Sequence, residues 1–249
     1  MEQFLTNLLN KNLLDVGVLL VIGVFFLIGL SSGVIFSAFR MLSMFIAAFM
    51  SLSLYNKLAD LIYGTYAETV INAFIYDGFL SNPDVTAAQY ELNIDKVHSS
   101  IVEMLRLPRG VAEAILKKPD SLNVVGRTDI FNDADIIGYF SAQCTKAVIA
   151  LFCVIVVFIV IRLLISIVKI FLDEIAALKI FRLFNYIGGP VLGFIEGIAT
   201  AYIALALVML VNIVVQLEPV YKVIESARFS RGIYENNLFL DFVLKHIRL

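Results

Sequence analysis

From Ala147 to Leu172 the chain reads AVIALFCVIVVFIVIRLLISIVKIFL, 26 residues in which Arg162 and Lys169 are the only charges. A helix needs roughly 20 mostly apolar residues to cross the hydrocarbon core of a bilayer, so this run alone points the chain to lipid. Three more stretches are comparable: Val16–Leu30, Gly33–Tyr55 with Arg40 as its one charge, and Ile187–Leu217. Ser31, Ser32 and Gly33 offer a turn between the first two, and DEIAALKIFRLFNY links the last two. The expected fold is therefore all-α, a polytopic membrane protein with four transmembrane helices in two hairpins and a polar helical insert between them. Pro219 is expected to end the last span.

Composition agrees with lipid as the solvent. The 249 residues are 60% hydrophobic and 16% charged, and mean hydropathy is +0.91, far from soluble averages. A net charge of −2 and the lack of any Lys/Arg-rich run argue against nucleic acid as a partner and against a polybasic membrane anchor. The first apolar run is read as a retained span rather than a cleaved leader: Glu2 precedes Lys11, no small-residue cleavage site follows Leu30, and the run continues into a second helix. The opening MEQFLTNLLNKN is short and apolar on one side, which suits the interface.

Four regions follow. Residues 1–55 hold the interfacial segment and first hairpin, and residues 56–146 a polar insert with the turn signals SNPD and KKPDS. Residues 147–217 hold the second hairpin and residues 218–249 an amphipathic tail, YKVIESARF then NLFLDFVLKHI. In the insert, Val97, Ile101, Met104 and Leu105 recur at helical spacing, and GVAEAILKK repeats the pattern after Pro108. Such short helices are expected to pack on one another or on the membrane surface. Cys144 and Cys153, nine residues apart, fall on opposite faces of one helix and cannot bridge.

Glycine is costly inside a soluble helix, yet Gly189, Gly193, Gly197 and Ala201 recur every four residues on one face of the fourth span. Ser43, Ala47 and Ser51 do the same on the second. Small-xxx-small stripes let helices approach closely in lipid, where no hydrophobic force joins them, so both stripes are candidate packing seams. Pro190 is placed in the first turn of the fourth helix, where a missing N–H costs little.

Three charges sit within the spans. Glu196 lies eight residues after Gly188 and Arg40 eight after Ser32, so both are about 12 Å in from their turns. Arg162 comes to a similar level from the third span. The preferred reading has all three snorkel to headgroups, because Gly197–Leu217 alone is long enough to span. The competing one is a buried cluster of Arg40, Arg162 and Glu196, a candidate ion or solute site. Asp15 is read as a cap on the first helix rather than a ligand.

Together these pieces resemble the colicin V production (CvpA) family, in a Gram-positive-type form. Asp15 ahead of an apolar span, then LIGLSSGVIFSAFRMLSMFIAAFMSLSLYNKLADLI with Gly29 and Gly33, looks like the family's opening. Asn185, Gly189, Gly193 and Gly197 are similar to its Asn-x-x-x-Gly-x-x-x-Gly-x-x-x-Gly element, and IESARFSRGIYENNLF to its tail. The matching pieces cover about half of the chain in order. Ser32 departs from the Arg that many members carry, and the insert is longer than in short members. The resemblance implies a bacterial inner-membrane protein associated with toxin (colicin V) production and secretion and with envelope homeostasis. It implies no catalytic residue.

Basic residues gather at the hairpin ends, with Arg162, Lys169, Lys179, Arg182 and Arg40, which favours cytoplasmic hairpin turns and an extracytoplasmic insert. Enzyme chemistry has little support: G-x-S-x-G and H-E-x-x-H are absent, and no aspartate pair lies within the spans. His98 and His246 are expected in structural roles, and no cofactor or metal is implied. Two functional classes remain. One is a membrane scaffold or accessory that recruits an envelope or secretion protein. The other is a homo-oligomeric channel or transporter-like protein with a polar path at Arg40, Arg162 and Glu196.

Overall fold

In a computed structural model, residues 2–119, 135–176, 182–216 and 218–247 are described, with side chains over 13–119, 135–167, 187–216 and 222–247. The regular elements there are all α-helices: α1 Glu2–Ala59, α2 Tyr66–Leu80, α3 Pro83–Tyr90, α4 Ile94–Leu105, α5 Arg109–Ile115, α6 Ile136–Ala176, α7 Arg182–Val215, α8 Glu218–Ser226, α9 Phe229–Glu235 and α10 Leu238–His246. Three of them contain stretches long and apolar enough to cross a membrane: Leu13–Ala59, Ile136–Ile167 and Ile187–Val215. The chain is an α-helical protein built for a bilayer.

The apolar runs form helices because in lipid every backbone N–H and C=O needs a partner within its own segment. Helical backbone lies on both sides of Gly33 in α1, while Gly33 itself sits at φ +78°. An L side chain there would cost roughly 1–2 kcal/mol, which glycine avoids. Two sequence expectations about ends are corrected. Pro190 lies well inside α7, not in its first turn, a position that membrane helices tolerate when neighbours satisfy the freed carbonyl. Pro219 does not stop α7 either; the helix ends at Val215, Gln216 turns left-handed at φ 51°, and Pro219 falls in the first turn of α8.

The chain divides into two compact units. The first comprises residues 1–55, 154–206 and 222–239; the second comprises 56–153, 207–221 and 240–249.

Within the second unit, caps and turns set the insert helices. The SNPD signal is a helix start: the Asn82 side chain accepts from the N–H groups of Asp84 (3.0 Å) and Val85 (3.2 Å), with Pro83 as the first residue of α3. Asn93 does the same for α4 through Lys96 N–H at 3.0 Å. Asp135 caps α6 by accepting from Gly138 N–H at 2.7 Å, so α6 begins at Ile136, inside the stretch expected to be polar insert. The Tyr76 hydroxyl also bonds to Asp135, and burial pushes that carboxyl above its ordinary range. Val97, Ile101 and Leu105 are fully buried while Met104 is half-buried, and Val111, Ala112 and Ile115 complete the core face of α5. Phe79, Ile136, Ile137 and Phe140 join this core.

His98 lies half-buried over Phe140, ring centroids 5.6 Å apart, with Nε2 3.2 Å from the Leu116 carbonyl. Burial, with Lys118 nearby, pushes its pKa below the ordinary value. His246 Nδ1 lies 2.7 Å from the Phe242 carbonyl. Cys144 and Cys153 are free thiols, both buried on α6.

Candidate functional site

The seam comes first, because it brings the helices close enough for the charges to meet. A Cβ added at Gly189 or Gly193 would strike the carbonyl oxygen of Gly29 or Phe25 respectively. One at Gly197 would lie 2.8 Å from the Ile22 Cα, and one at Gly29 would strike the Gly189 carbonyl. Backbone thus lies on backbone along this line, a contact that glycine alone allows. Gly29 and Gly33 are half of the seam, although the sequence suggested them only through the family pattern. Their spacing, Gly29-x-x-x-Gly33, carried the same packing signal as the stripe on α7.

The second stripe faces inward in another way. Ser43, Ala47 and Ser51 are buried, and Ala47 packs with Met44, Phe158 and Ile161, with Ala199 and Ile203 alongside. Here small residues admit large ones rather than a bare backbone. The serine hydroxyls turn back onto their own helix, Ser43 onto the Arg40 carbonyl (2.6 Å) and Ser51 onto that of Ala48 (2.8 Å), so they bury no unpaired donor. Ala201 is also buried. The side chain of Asn185 lies outside the described residues.

Arg40, Arg162 and Glu196 meet. Glu196 has no exposed side-chain surface. Its Oε2 accepts from Arg40 Nε at 2.9 Å, and its Oε1 accepts from Arg162 Nη2. Arg40 spends its two remaining nitrogens on Ser32 Oγ (3.2 Å) and Ser37 Oγ (3.3 Å). The preference for three separate snorkelling side chains is therefore corrected. A bare carboxylate buried here would cost at least a few kcal/mol, and two guanidinium groups within hydrogen-bond reach offset that cost. The length argument failed because α7 starts at Arg182, which leaves Glu196 more than three turns inside the helix.

Asp15 is the second charged anchor, and it does not cap its own helix, since α1 begins at Glu2. Its carboxylate accepts from the backbone N–H groups of Arg228 (2.9 Å) and Ser230 (2.7 Å) and from Ser230 Oγ (2.7 Å). A buried aspartate of the first span thus fastens the start of α9, meeting donors that a helix N-terminus leaves unpaired. Asn237 holds the same tail to α7 by donating to the Tyr202 carbonyl at 2.9 Å. Sequence reasoning missed Arg228 and Ser230 as partners of Asp15, because more than 200 residues separate them from it.

Chemically, the cluster is a carboxylate saturated by two permanent cations. It is suited to fixing helices in register and offers no free base. Among the described residues, no group of three or more His, Cys, Asp or Glu is placed to hold a metal ion. Comparison with family models, with curated proteins and with solved structures finds no match to this chain.

Proposed function

We propose that this chain is a membrane scaffold or accessory of the colicin V production type, working by binding a protein partner in the cytoplasmic membrane of a bacterium during toxin production or secretion and envelope upkeep. The observation that carries the scaffold over a channel is Glu196. Both of its oxygens are taken by arginine and none of its surface is open, whereas a carboxylate lining a solute path has to offer oxygen to water or to the passing ion.

Four spans in two hairpins remain the preferred topology, and the direction of the seam supports it. Ile22, Phe25 and Gly29 lie against Gly197, Gly193 and Gly189, descending along α7. After Gly33 the order reverses, with Arg40 at Glu196 and Met44 and Ala47 in one cluster with Ala199 and Ile203. A chain that folds back at the left-handed Gly33 gives both orders. The basic ends of the second hairpin favour cytoplasmic turns, which puts the insert outside, where a partner is recruited.

The test is purification under mild detergent after crosslinking in cells. A discrete membrane or envelope protein should copurify, and replacing residues 66–115 with a flexible linker should remove it. Absence of any partner, together with ion or solute flux in proteoliposomes that changes in Glu196→Gln, would favour the channel.

A further inference from the structure

The charge cluster does not balance. Among the described residues, two arginines against one glutamate leave a formal surplus of one positive charge, and the surplus lies on the side of Arg162. Arg40 is used on all three nitrogens, by Glu196, Ser32 and Ser37. Among the described residues, Arg162 bonds only to Glu196, through Nη2, and so keeps Nε and Nη1 as unused donors. Its side chain is also the more open of the two, 24% exposed against 17%.

Its surroundings say what can reach those donors. Ile159, Val160, Leu163, Leu164 and Ile167 on the same helix are large, apolar and exposed, a surface that suits acyl chains rather than water. Ser166, one turn further along α6, is exposed. A half-used, partly exposed guanidinium flanked on both sides by apolar surface calls for a compact anion with two acceptor oxygens, since guanidinium geometry matches phosphate bidentately.

Resting on the membrane reading above, we infer that Arg162 forms a phosphate site at the edge of the bundle, which takes the phosphodiester of a lipid headgroup of net charge −1 or a free phosphate ion. Either one neutralises the surplus charge of the Arg40–Glu196–Arg162 cluster.

The probes are nanodiscs of phosphatidylglycerol or of phosphatidylcholine, and inorganic phosphate added to protein in neutral detergent. The full chain should melt several degrees higher in phosphatidylglycerol, and native mass spectrometry should show one retained phosphatidylglycerol. Arg162→Gln should lose both effects, and Arg162→Lys should keep a weaker version, having the charge without the fork. If inorganic phosphate at millimolar concentration reproduces the stabilisation in an Arg162-dependent way, the occupant is the soluble ion and the site stands. Equal melting of the wild-type protein in both lipids and without phosphate dependence overturns it, whether or not the variants fold. Carbonate extraction separates this failure from failure of the membrane reading, since a bilayer-spanning chain stays in the pellet either way.

Discussion

The two units bury opposite things. Of the largest fully buried side chains, Leu205 belongs to the first unit, whereas Phe79, Phe140, Ile75, Ile101, Leu105, Ile115, Leu116, Ile136, Ile137, Ile149 and Met209 all belong to the second. In the first unit the buried positions include Gly29, Gly33, Gly189, Gly193, Ser37, Asp15 and Glu196, while Leu20, Leu27, Phe49, Leu163 and Leu164 are exposed. The second unit, which contains the insert, packs as water-soluble proteins do, with apolar bulk inside. The first gains nothing from hiding bulk, because acyl chains solvate leucine as well as a protein interior does. It is joined instead by close backbone contact and by polar groups that lipid cannot satisfy.

The strongest way to break that contrast is to remove the polar half of it. Glu196→Arg gathers three positive charges in a buried layer, and Arg40→Glu sets a carboxylate beside Glu196; losing one partner of a buried pair costs about 3–5 kcal/mol. Both variants should be depleted from the membrane. The double swap should recover much of the loss, because it restores one opposite pair. Membrane abundance and melting in detergent measure this, and silent single variants would mean that the charges do not meet.

Closing the seam with a side chain should cost less. Gly193→Leu and Gly189→Leu should destabilise by about 1–3 kcal/mol, the usual range for overpacking. Gly23→Leu is the internal control, since a Cβ there meets nothing within 4 Å. Detergent melting that ranks all three together would show that the glycine line faces lipid.

The smallest effect belongs to the insert and sharpens the contrast from its side. Burial favours the neutral imidazole of His98, so its folded pKa lies below the ordinary 6.5. The sign follows from linkage: stability is complete above 6.5 and is lost as pH falls from there toward the lowered value, because the unfolded chain takes the proton first. With the ring partly open to solvent, the loss should stay below about 1 kcal/mol. His98→Gln should flatten the unfolding profile between pH 7 and 5, and an unchanged slope would assign it to other groups.

Much of the insert was readable because its signals are local. Val97, Ile101 and Leu105 needed only the period of a helix; SNPD was read as a turn, whereas Asn82 caps α3 within it and Asn93 caps α4. The glycine stripe on α7 was readable for the same reason, since its period is one helix's own. The α6 start at Ile136 was missed because Ser141, Gln143, Thr145 and Lys146 interrupt the apolar run that Ile136 begins.

By itself, the sequence determined that the chain is helical and belongs in a bilayer, because the length and polarity of its apolar runs leave few other folds that satisfy the backbone. It also determined that three charges lie at nearly one depth, which follows from counting residues at a fixed rise. Only the tertiary structure decided what those charges do. Whether Glu196 snorkels or pairs with Arg40 and Arg162 depends on rotation about helix axes and on side chains 34 and 156 residues away. The same holds for Asp15, whose donors sit at the far end of the chain. One helix's periodicity fixes which face is small or charged; which helix it meets is settled by packing between segments.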